Sequence, residues 1–232
     1  MTTPAPIAVA LDTSDLSVAA RLAGATAPHV STMKVGLQLF SSEGPGAVEK
    51  VRAQAPGVQI MLDLKLHDIP ATVTGAARSL ARLHPEILTV HALGGTAMIA
   101  GAADALPGTV IAAVTILTSL HGGDLDRLGI AGPPGSAVRR LAAIAVAAGA
   151  RALVCSPLEV AAVRDEVGPA IRLITPGIRP AGSAVGDQAR LATPVAARAA
   201  GSDLLVIGRP IIAADDPGRV AADIAAEVSA ES

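Results

Sequence analysis

Residues 7–27 read IAVALDTSDLSVAARLAGATA, and this stretch contains the two kinds of element on which the fold depends. Its first five residues form a short apolar run, typical of a strand that is buried on both faces of a parallel sheet. The polar DTSD that follows supplies helix-capping residues before an alanine-rich segment with helical spacing. No G-x-G-x-x-G follows this strand, which argues against the dinucleotide cradle of a doubly wound sheet.

The same alternation of strand and helix continues along the chain. Eight runs rich in β-branched residues predict strands at 7–12, 31–37, 59–65, 87–92, 109–115, 152–156, 171–177 and 204–209. Alanine-rich segments with helical spacing lie between most of them, at 15–27, 44–54, 71–83, 96–106, 136–148 and 157–167. We therefore predict a (β/α)8 TIM barrel that forms one domain over residues 1–232, with a doubly wound open sheet as the alternative.

The composition excludes several classes of protein. Hydrophobic residues make up 51% of the 232 residues, so the chain can bury a sizeable core and is not disordered. The net charge is −2 and Trp and Tyr are absent, so we expect neither nucleic-acid nor membrane binding but a small-molecule partner. No apolar window has the length of a membrane span, and residues 1–6 lack the basic charge of a signal peptide. With a single cysteine, Cys155, a cytoplasmic protein is expected.

Charged residues interrupt two of the predicted strands. Lys34 and Lys65 both lie in apolar runs, where an unpaired charge would be costly to bury. Asp63 precedes Lys65 by two residues, so both side chains share one face of their strand. Asp68 follows three residues after Lys65, at the start of the next loop. These four residues can form a network of alternating charge at the C-terminal mouth of the barrel.

Two interpretations of this network are open. It can be a set of salt bridges that only ties strands together, with Asp68 capping a helix. It can also be a catalytic array, which we favour because buried ion networks stabilise proteins poorly. A lysine held between carboxylates stays protonated and can donate a proton to a developing carbanion, while its charge stabilises that anion.

Other polar residues follow the predicted strands. Asp12 can accept hydrogen bonds from sugar hydroxyls or cap a helix, and Thr118 can contact a heterocycle or cap a turn. Gly208 and Arg209 end the eighth strand and form a corner suited to phosphate. Cys155 is interpreted as a small buried hydrophobic residue.

The segment 178–190 interrupts the alternation after the seventh strand, because it is rich in Gly, Pro and Ser. Phosphate commonly binds the loops after strands seven and eight of a barrel, so this segment is interpreted as a lid that offers Arg179 and Gln188. An ordinary surface loop is the alternative. The histidines show no paired metal-ligand spacing, and we predict no metal site; His91 is assigned no role.

Several motifs together resemble the orotidine 5′-phosphate decarboxylase family. They cover essentially the whole chain: VALD at 9–12, MKVG at 33–36, DLKLHDIP at 63–70, TPGIRP at 175–180, GDQ at 186–188 and IGRP at 207–210. The D-x-K-x-x-D element is shared with Mg²⁺-dependent relatives such as 3-keto-L-gulonate 6-phosphate decarboxylase, which place a glutamate where this chain has Lys34. The resemblance implies decarboxylation of orotidine 5′-monophosphate to UMP in pyrimidine biosynthesis, without cofactor or metal.

The resemblance also implies roles for the residues in the motifs. Lys65 is implied as the proton donor to carbon 6 of the pyrimidine, Asp63 lies beside the departing carboxylate, and Lys34 binds the ribose and holds Asp63. Three residues are implied to reach the partner subunit's site in a homodimer: Asp68, Ile69 and Thr72. The implied substrate ligands are Asp12 for the ribose, Thr118 for the pyrimidine, and Arg179, Gln188, Gly208 and Arg209 for the phosphate.

Two other functions stay open from the sequence. One is a metal-dependent sugar-phosphate decarboxylase or aldolase of the same barrel type. The other is a barrel that binds a phosphorylated ligand without catalysis, against which the set of four charged residues argues.

Overall fold

The computed structural model describes residues 4–180 and 191–230, and its eight parallel strands form a closed barrel in sequence order. The strands are β1 (Ala5–Ala10), β2 (Val30–Gly36), β3 (Gln59–Leu66), β4 (Ile87–His91), β5 (Val110–Val114), β6 (Ala152–Val154), β7 (Arg172–Thr175) and β8 (Leu204–Ile207). Each strand pairs with the next, and β8 pairs with β1 to close the ring. The predicted TIM barrel is therefore confirmed, and the open doubly wound sheet is excluded.

Helices cover the outside of the barrel. They are α1 (Leu16–Thr26), α2 (Leu37–Glu43), α3 (Pro45–Gln54), α4 (Pro70–Leu80), α5 (Gly95–Ala105), α6 (Gly122–Arg127), α7 (Pro134–Ala147), α8 (Val160–Val167), α9 (Pro194–Ala199), α10 (Arg209–Ile212) and α11 (Pro217–Ser229). Short 3₁₀ turns lie at Ala81–Leu83, Ala92–Gly94 and Pro157–Glu159.

Local sequence explains where several helices begin. The Asp15 carboxylate accepts hydrogen bonds from the backbone N–H groups of Ser17 and Val18, at 2.7 and 3.1 Å, and so caps α1 as the DTSD stretch predicts. Proline occupies the first turn of α3, α4, α7, α9 and α11, where its missing N–H has no helical partner to lose. The capping aspartate and the prolines therefore determine the residue at which these helices begin.

The buried apolar side chains form two clusters. The larger one lies between the strands and the helices. The smaller one lines the inside of the barrel and is rich in alanine and valine: Ala8, Ala10, Met61, Ile87, Ala112, Val114, Ala152, Val154, Ile174, Leu204 and Val206. Because all strands are parallel, their carboxyl ends surround one end of this inner cluster, where the functional residues are expected.

The described residues include no helix with the length and apolar character needed to cross a bilayer.

Candidate active site

A cavity of about 490 Å³ opens at the carboxyl ends of the strands. Five side chains of the inner cluster contribute to its apolar wall: Ala10, Met61, Val114, Val154 and Val206. Eight residues that the sequence singled out also line it: Asp12, Lys34, Asp63, Lys65, Thr118, Arg179, Gly208 and Arg209. The structure therefore brings the ends of β1, β2, β3, β5, β7 and β8 to one pocket.

Strand register explains how the charged residues meet. Lys34 on β2 pairs with Ala10 on β1 and with Met61 on β3, so it lies at the level of the cavity's apolar part. Asp63 is two residues further along β3 and pairs with Gly36. The charged side chains therefore come from three neighbouring strands and lie next to one another at the barrel mouth.

The charges form what we call the lysine–carboxylate network, made of Asp12, Lys34, Asp63 and Lys65. Lys34 Nζ lies 2.8 Å from Asp12 Oδ1 and 3.4 Å from Asp63 Oδ2. Lys65 Nζ donates to both carboxylate oxygens of Asp63, at 2.8 and 2.9 Å. Asp63 is thus a buried anion between two cations.

Burial and charge act in opposite directions on the two most buried members of the network. Lys34 and Asp63 are each only 7% exposed, and this burial is the largest effect on the pKa of each group, opposing its charged form. The neighbouring opposite charges outweigh it. Asp63 and Asp12 raise the pKa of Lys34, while Lys34 and Lys65 lower the pKa of Asp63. Both groups are therefore ionised at neutral pH.

The backbone of β3 is irregular where it carries this network. Leu62 pairs with Leu88 of β4 and Leu66 pairs with Val90, so four residue steps on β3 match two on β4. Lys65 lies in the resulting bulge with a φ of 49°, in the left-handed region that L-residues seldom adopt. The Lys65 ammonium contacts Asp63, and the two side chains share one face as predicted, since Leu62, Leu64 and Leu66 pack against the outer core on the other face.

Two residues that were not predicted as site residues support the network. Thr89 on β4 contacts both Asp63 and Lys65. Gly36 leaves room for the pairing of Lys34 with Asp12, because a Cβ at position 36 would lie 2.7 Å from Lys34 Nζ and 3.0 Å from Asp12 Oδ1. A polar residue inside the apolar ILTVH run was the available signal for Thr89.

Asp68 was expected in the charge network, but the structure places it elsewhere. Within the single chain Asp68 is exposed and lies outside the cavity, so the fourth charge beside Lys34 is Asp12 instead. Asp68 also does not cap α4: the N-cap residue is Ile69, and Asp68 Oδ1 accepts only the neighbouring Ile69 N–H, at 2.6 Å. The physical reason is that β3 ends at Leu66, and the chain then leaves the barrel mouth toward its surface.

Ile69 and Thr72 are exposed as well, and Ile69 retains 66% of its accessible surface. Both lie at the start of α4, next to Asp68 and outside the cavity of their own chain. The structure does not bring these three residues to the site formed by the same chain.

The arginine side of the cavity follows β7 and β8. Arg179 is 9% exposed, and its backbone N–H donates to the Ala192 carbonyl at 2.9 Å. Gly208 and Arg209 were predicted to end the eighth strand, but β8 ends at Ile207, so Gly208 precedes α10 and Arg209 begins it. Gln188 and most of the predicted lid 178–190 lie outside the described residues.

The remaining reactive groups have structural explanations. Cys155 is 1% exposed, and burial, with a smaller effect from Glu159, raises the pKa of its thiol to about 12. It is therefore a neutral, apolar part of the cavity wall. His91 stacks on His67 with ring centroids 5.1 Å apart. Within the described part of the chain, no cluster of three or more His, Cys, Asp or Glu side chains is arranged to hold a metal ion.

Eight parallel strands that end around buried, ionised acid and base groups place the protein in the class of TIM-barrel enzymes. The family model described as "Orotidine 5'-phosphate decarboxylase / HUMPS family" matches residues 5–224. The chain belongs to this family, which confirms the resemblance found in its motifs.

Individual relatives agree with the family assignment. An orotidine 5'-phosphate decarboxylase from Thermobifida fusca is 64% identical over 224 residues, which cover 97% of this chain and 96% of the relative. A protein of the same name from Frankia casuarinae is 54% identical over 97% of this chain and 88% of its own length. The crystal structure of orotidine 5'-phosphate decarboxylase from Lactobacillus acidophilus superposes with a TM-score of 0.83 at 37% identity, covering 97% of this chain and 99% of that one.

Proposed function

We propose that this chain is a carboxy-lyase that converts orotidine 5′-monophosphate to UMP and CO₂ in pyrimidine biosynthesis. The observation that carries the proposal is the lysine–carboxylate network inside the cavity at the barrel mouth. The family match over residues 5–224 and the 64% identity to a decarboxylase of this name support the choice of substrate.

The chemistry explains why fixed charge is needed. When the bond between carbon 6 and the carboxylate breaks, the electron pair stays on a ring carbon that has no adjacent electron sink. A cation held at that carbon interacts more strongly with the developing carbanion than with the substrate, which is the condition for raising the rate. No cofactor is required in this scheme.

Lys65 is assigned as that cation and as the proton donor to carbon 6. Its ammonium group has three protons, and two of them are directed at the carboxylate oxygens of Asp63. The third is available to a ligand in the cavity, which Lys65 lines. After the proton moves to carbon 6, the neutral amine is reprotonated by solvent.

Asp63 and Lys34 are assigned to hold the Lys65 ammonium group in place. The ionised Asp63 pairs with the Lys65 ammonium group and is placed beside the departing carboxylate of the substrate. Lys34 holds Asp63 from the other side, and with Asp12 it offers polar groups to the ribose hydroxyls.

The phosphate and pyrimidine ligands are assigned from their places around the cavity. Arg179, Gly208 and Arg209 line the part that follows β7 and β8, where a bidentate guanidinium and free backbone suit a phosphate. Thr118, after β5, is assigned to the pyrimidine. Gln188 is proposed to join the phosphate ligands, and segment 178–190 to close over them, so that phosphate binding energy excludes water from the reaction.

A homodimer with shared sites is part of the proposal. Asp68, Ile69 and Thr72 are exposed on one chain, and an isoleucine that is 66% exposed at a helix start is suited to contact a second copy. We further propose that residues 1–232 act as one domain in the cytoplasm, without nucleic-acid or membrane partners.

The alternative of a magnesium-dependent sugar-phosphate enzyme lacks support. The relatives that match at 64% and 54% identity are named orotidine 5'-phosphate decarboxylases. A barrel that only binds a phosphorylated ligand has no use for two lysines paired with one buried, ionised carboxylate.

The test is the near-ultraviolet absorbance change of orotidine 5′-monophosphate with purified protein, with and without EDTA. The chain lacks Trp and Tyr, so it contributes almost no absorbance of its own even at high enzyme concentration. Rapid conversion to UMP in EDTA is expected. No conversion by folded protein would overturn the proposal, and 3-keto-L-gulonate 6-phosphate with Mg²⁺ would then be the substrate to test.

A further inference from the structure

Thr89 is a fully buried hydroxyl next to the proposed reaction centre. It lies on β4 between Leu88 and Val90, which both face the outer core, so the Thr89 side chain points into the barrel. It does not line the cavity. A hydroxyl in such a place is costly to bury unless its hydrogen bonds are satisfied.

The two hydrogen bonds of Thr89 have a fixed direction. The Lys65 backbone N–H can only donate, and it donates to Thr89 Oγ1 at 2.8 Å. The Thr89 hydroxyl donates in turn to Asp63 Oδ1, at 2.9 Å. One side chain thus bridges the backbone of Lys65 and the carboxylate of Asp63.

The bridge lies at the strained part of β3. The bulge between Leu62 and Leu66 removes the regular ladder bonds to β4, and Lys65 adopts a φ of 49°. Without Thr89 Oγ1, the N–H of Lys65 would lose the acceptor that holds this conformation. The Lys65 side chain contacts Asp63 from this backbone position, through both carboxylate oxygens.

We propose that Thr89 is a positioning residue that fixes the Lys65 ammonium against the Asp63 carboxylate. This inference rests on the proposed function, since it concerns the donor and the anion of that reaction. Thr89 acts through these two residues and makes no contact with the substrate. Its removal is therefore expected to slow the reaction without weakening the binding of ligand.

The experiment compares Thr89→Val, which keeps the shape and removes the hydroxyl, with Thr89→Ser, which keeps the hydroxyl. Thr109→Val is the matched control, because Thr109 is also buried and its hydroxyl donates to the Pro85 carbonyl at the opposite end of the barrel. For each protein, kcat is measured with orotidine 5′-monophosphate and Kd with UMP by calorimetry.

For Thr89→Val we expect kcat to fall about 10- to 100-fold, as for a catalytic group displaced by a fraction of an ångström to 1 Å, with the Kd for UMP little changed. Thr89→Ser and Thr109→Val are expected to keep the wild-type kcat. A crystal structure of Thr89→Val is expected to show Lys65 at a negative φ with its Nζ displaced from Asp63.

The inference is overturned if Thr89→Val retains the wild-type kcat, if Thr109→Val loses as much, or if kcat and UMP affinity fall together. If Thr89→Val does not fold, Thr89→Ala against Thr89→Ser gives the same comparison. A wild-type protein that fails to convert orotidine 5′-monophosphate would instead refute the proposed function, so the two failures are distinguishable.

Discussion

Replacing Asp63 by asparagine tests whether the lysine–carboxylate network stabilises the fold as well as the reaction. The side chain keeps its shape, but Lys34 and Lys65 lose a carboxylate that lies 3.4 and 2.8 Å from their Nζ atoms. Lys34 is 7% exposed and keeps only Asp12 as a partner. The Lys65 side chain is 30% exposed and can turn toward water.

The expected loss follows from these exposures. Removing one partner of a buried ion pair typically costs 3–5 kcal/mol, because the remaining charge stays buried. Since Lys34 keeps Asp12 and Lys65 reaches solvent, we expect the free energy of unfolding at pH 7 to fall by about 3 kcal/mol, the lower end of that range. A loss of stability, and not a gain, is expected because the pKa of Lys34 is raised and that of Asp63 is lowered in spite of burial, so the network stabilises both charged forms.

The pH dependence gives a second, independent signature. The pKa of Asp63 is lower in the folded chain than its usual 3.8, so its contribution to stability is present above that pH. The contribution is lost as the pH falls through the lowered folded-state value. Asp63→Asn lacks this carboxylate, so the difference in unfolding free energy between the two proteins should shrink below about pH 4.

Urea unfolding followed by far-ultraviolet circular dichroism is the appropriate assay, because the chain has no Trp or Tyr to report by fluorescence. Protein concentration is held constant, since dimer formation would add to the measured stability. Asp12→Asn is the control: its side chain is 48% exposed, so the loss should be about 1 kcal/mol or less. Asp63→Asn with wild-type or greater stability would refute the claim that the network is net stabilising.

The remaining predictions concern the reaction, the dimer and the thiol. Lys65→Ala should abolish turnover of orotidine 5′-monophosphate, since it removes both proton donor and cation; near-normal kcat would contradict that assignment. Arg209→Ala should mainly lower kcat/KM through lost phosphate contacts, and unchanged kinetics would mean that the phosphate binds elsewhere. Mixing inactive Asp68→Ala with inactive Lys65→Ala should restore about a quarter of wild-type activity, because half of the dimers are hybrids and one of the two sites in each hybrid is intact. No recovery after verified subunit exchange would argue against shared sites. Burial raises the pKa of the Cys155 thiol from 9.0 to about 12. At pH 8 the thiol should therefore react with a thiol reagent about 10³-fold more slowly in the native chain than in urea. Rapid labelling of the native protein would show that the thiol is accessible.

The barrel could be predicted because the pattern that encodes it is local. All eight strands lie within a few residues of the predicted runs, since strands buried on both faces are continuous in apolar residues. Five helices were not predicted: α2, α6, α9, α10 and α11. The first four have only four to seven residues, too few for an apolar periodicity of their own. The 13-residue α11 has no such reason and was simply not identified.

The cavity residues could be predicted for a geometric reason. In a parallel barrel, every polar residue at the carboxyl end of a strand faces the same opening, so chain position alone places Asp12, Lys34, Asp63 and Lys65 together. That rule fails for Asp68, which lies beyond the end of β3, where the chain direction is set by the loop. Its exposed position agrees with a role toward a second subunit and not within its own site.

The residues that support the network could not be found by this rule, because their roles depend on contacts between strands. Gly36 matters only because the Lys34 and Asp12 side chains meet over it, and Thr89 only because a bulge brings the Lys65 N–H opposite its hydroxyl. Strand alternation already puts the Asp63 and Lys65 side chains on one face, since Leu62, Leu64 and Leu66 pack against the outer core. The bulge adds a contact that alternation does not predict, the hydrogen bond from the Lys65 N–H to Thr89 Oγ1 on β4. Asp63 and Lys65 are therefore joined twice, directly through the Lys65 ammonium and indirectly through the Thr89 hydroxyl.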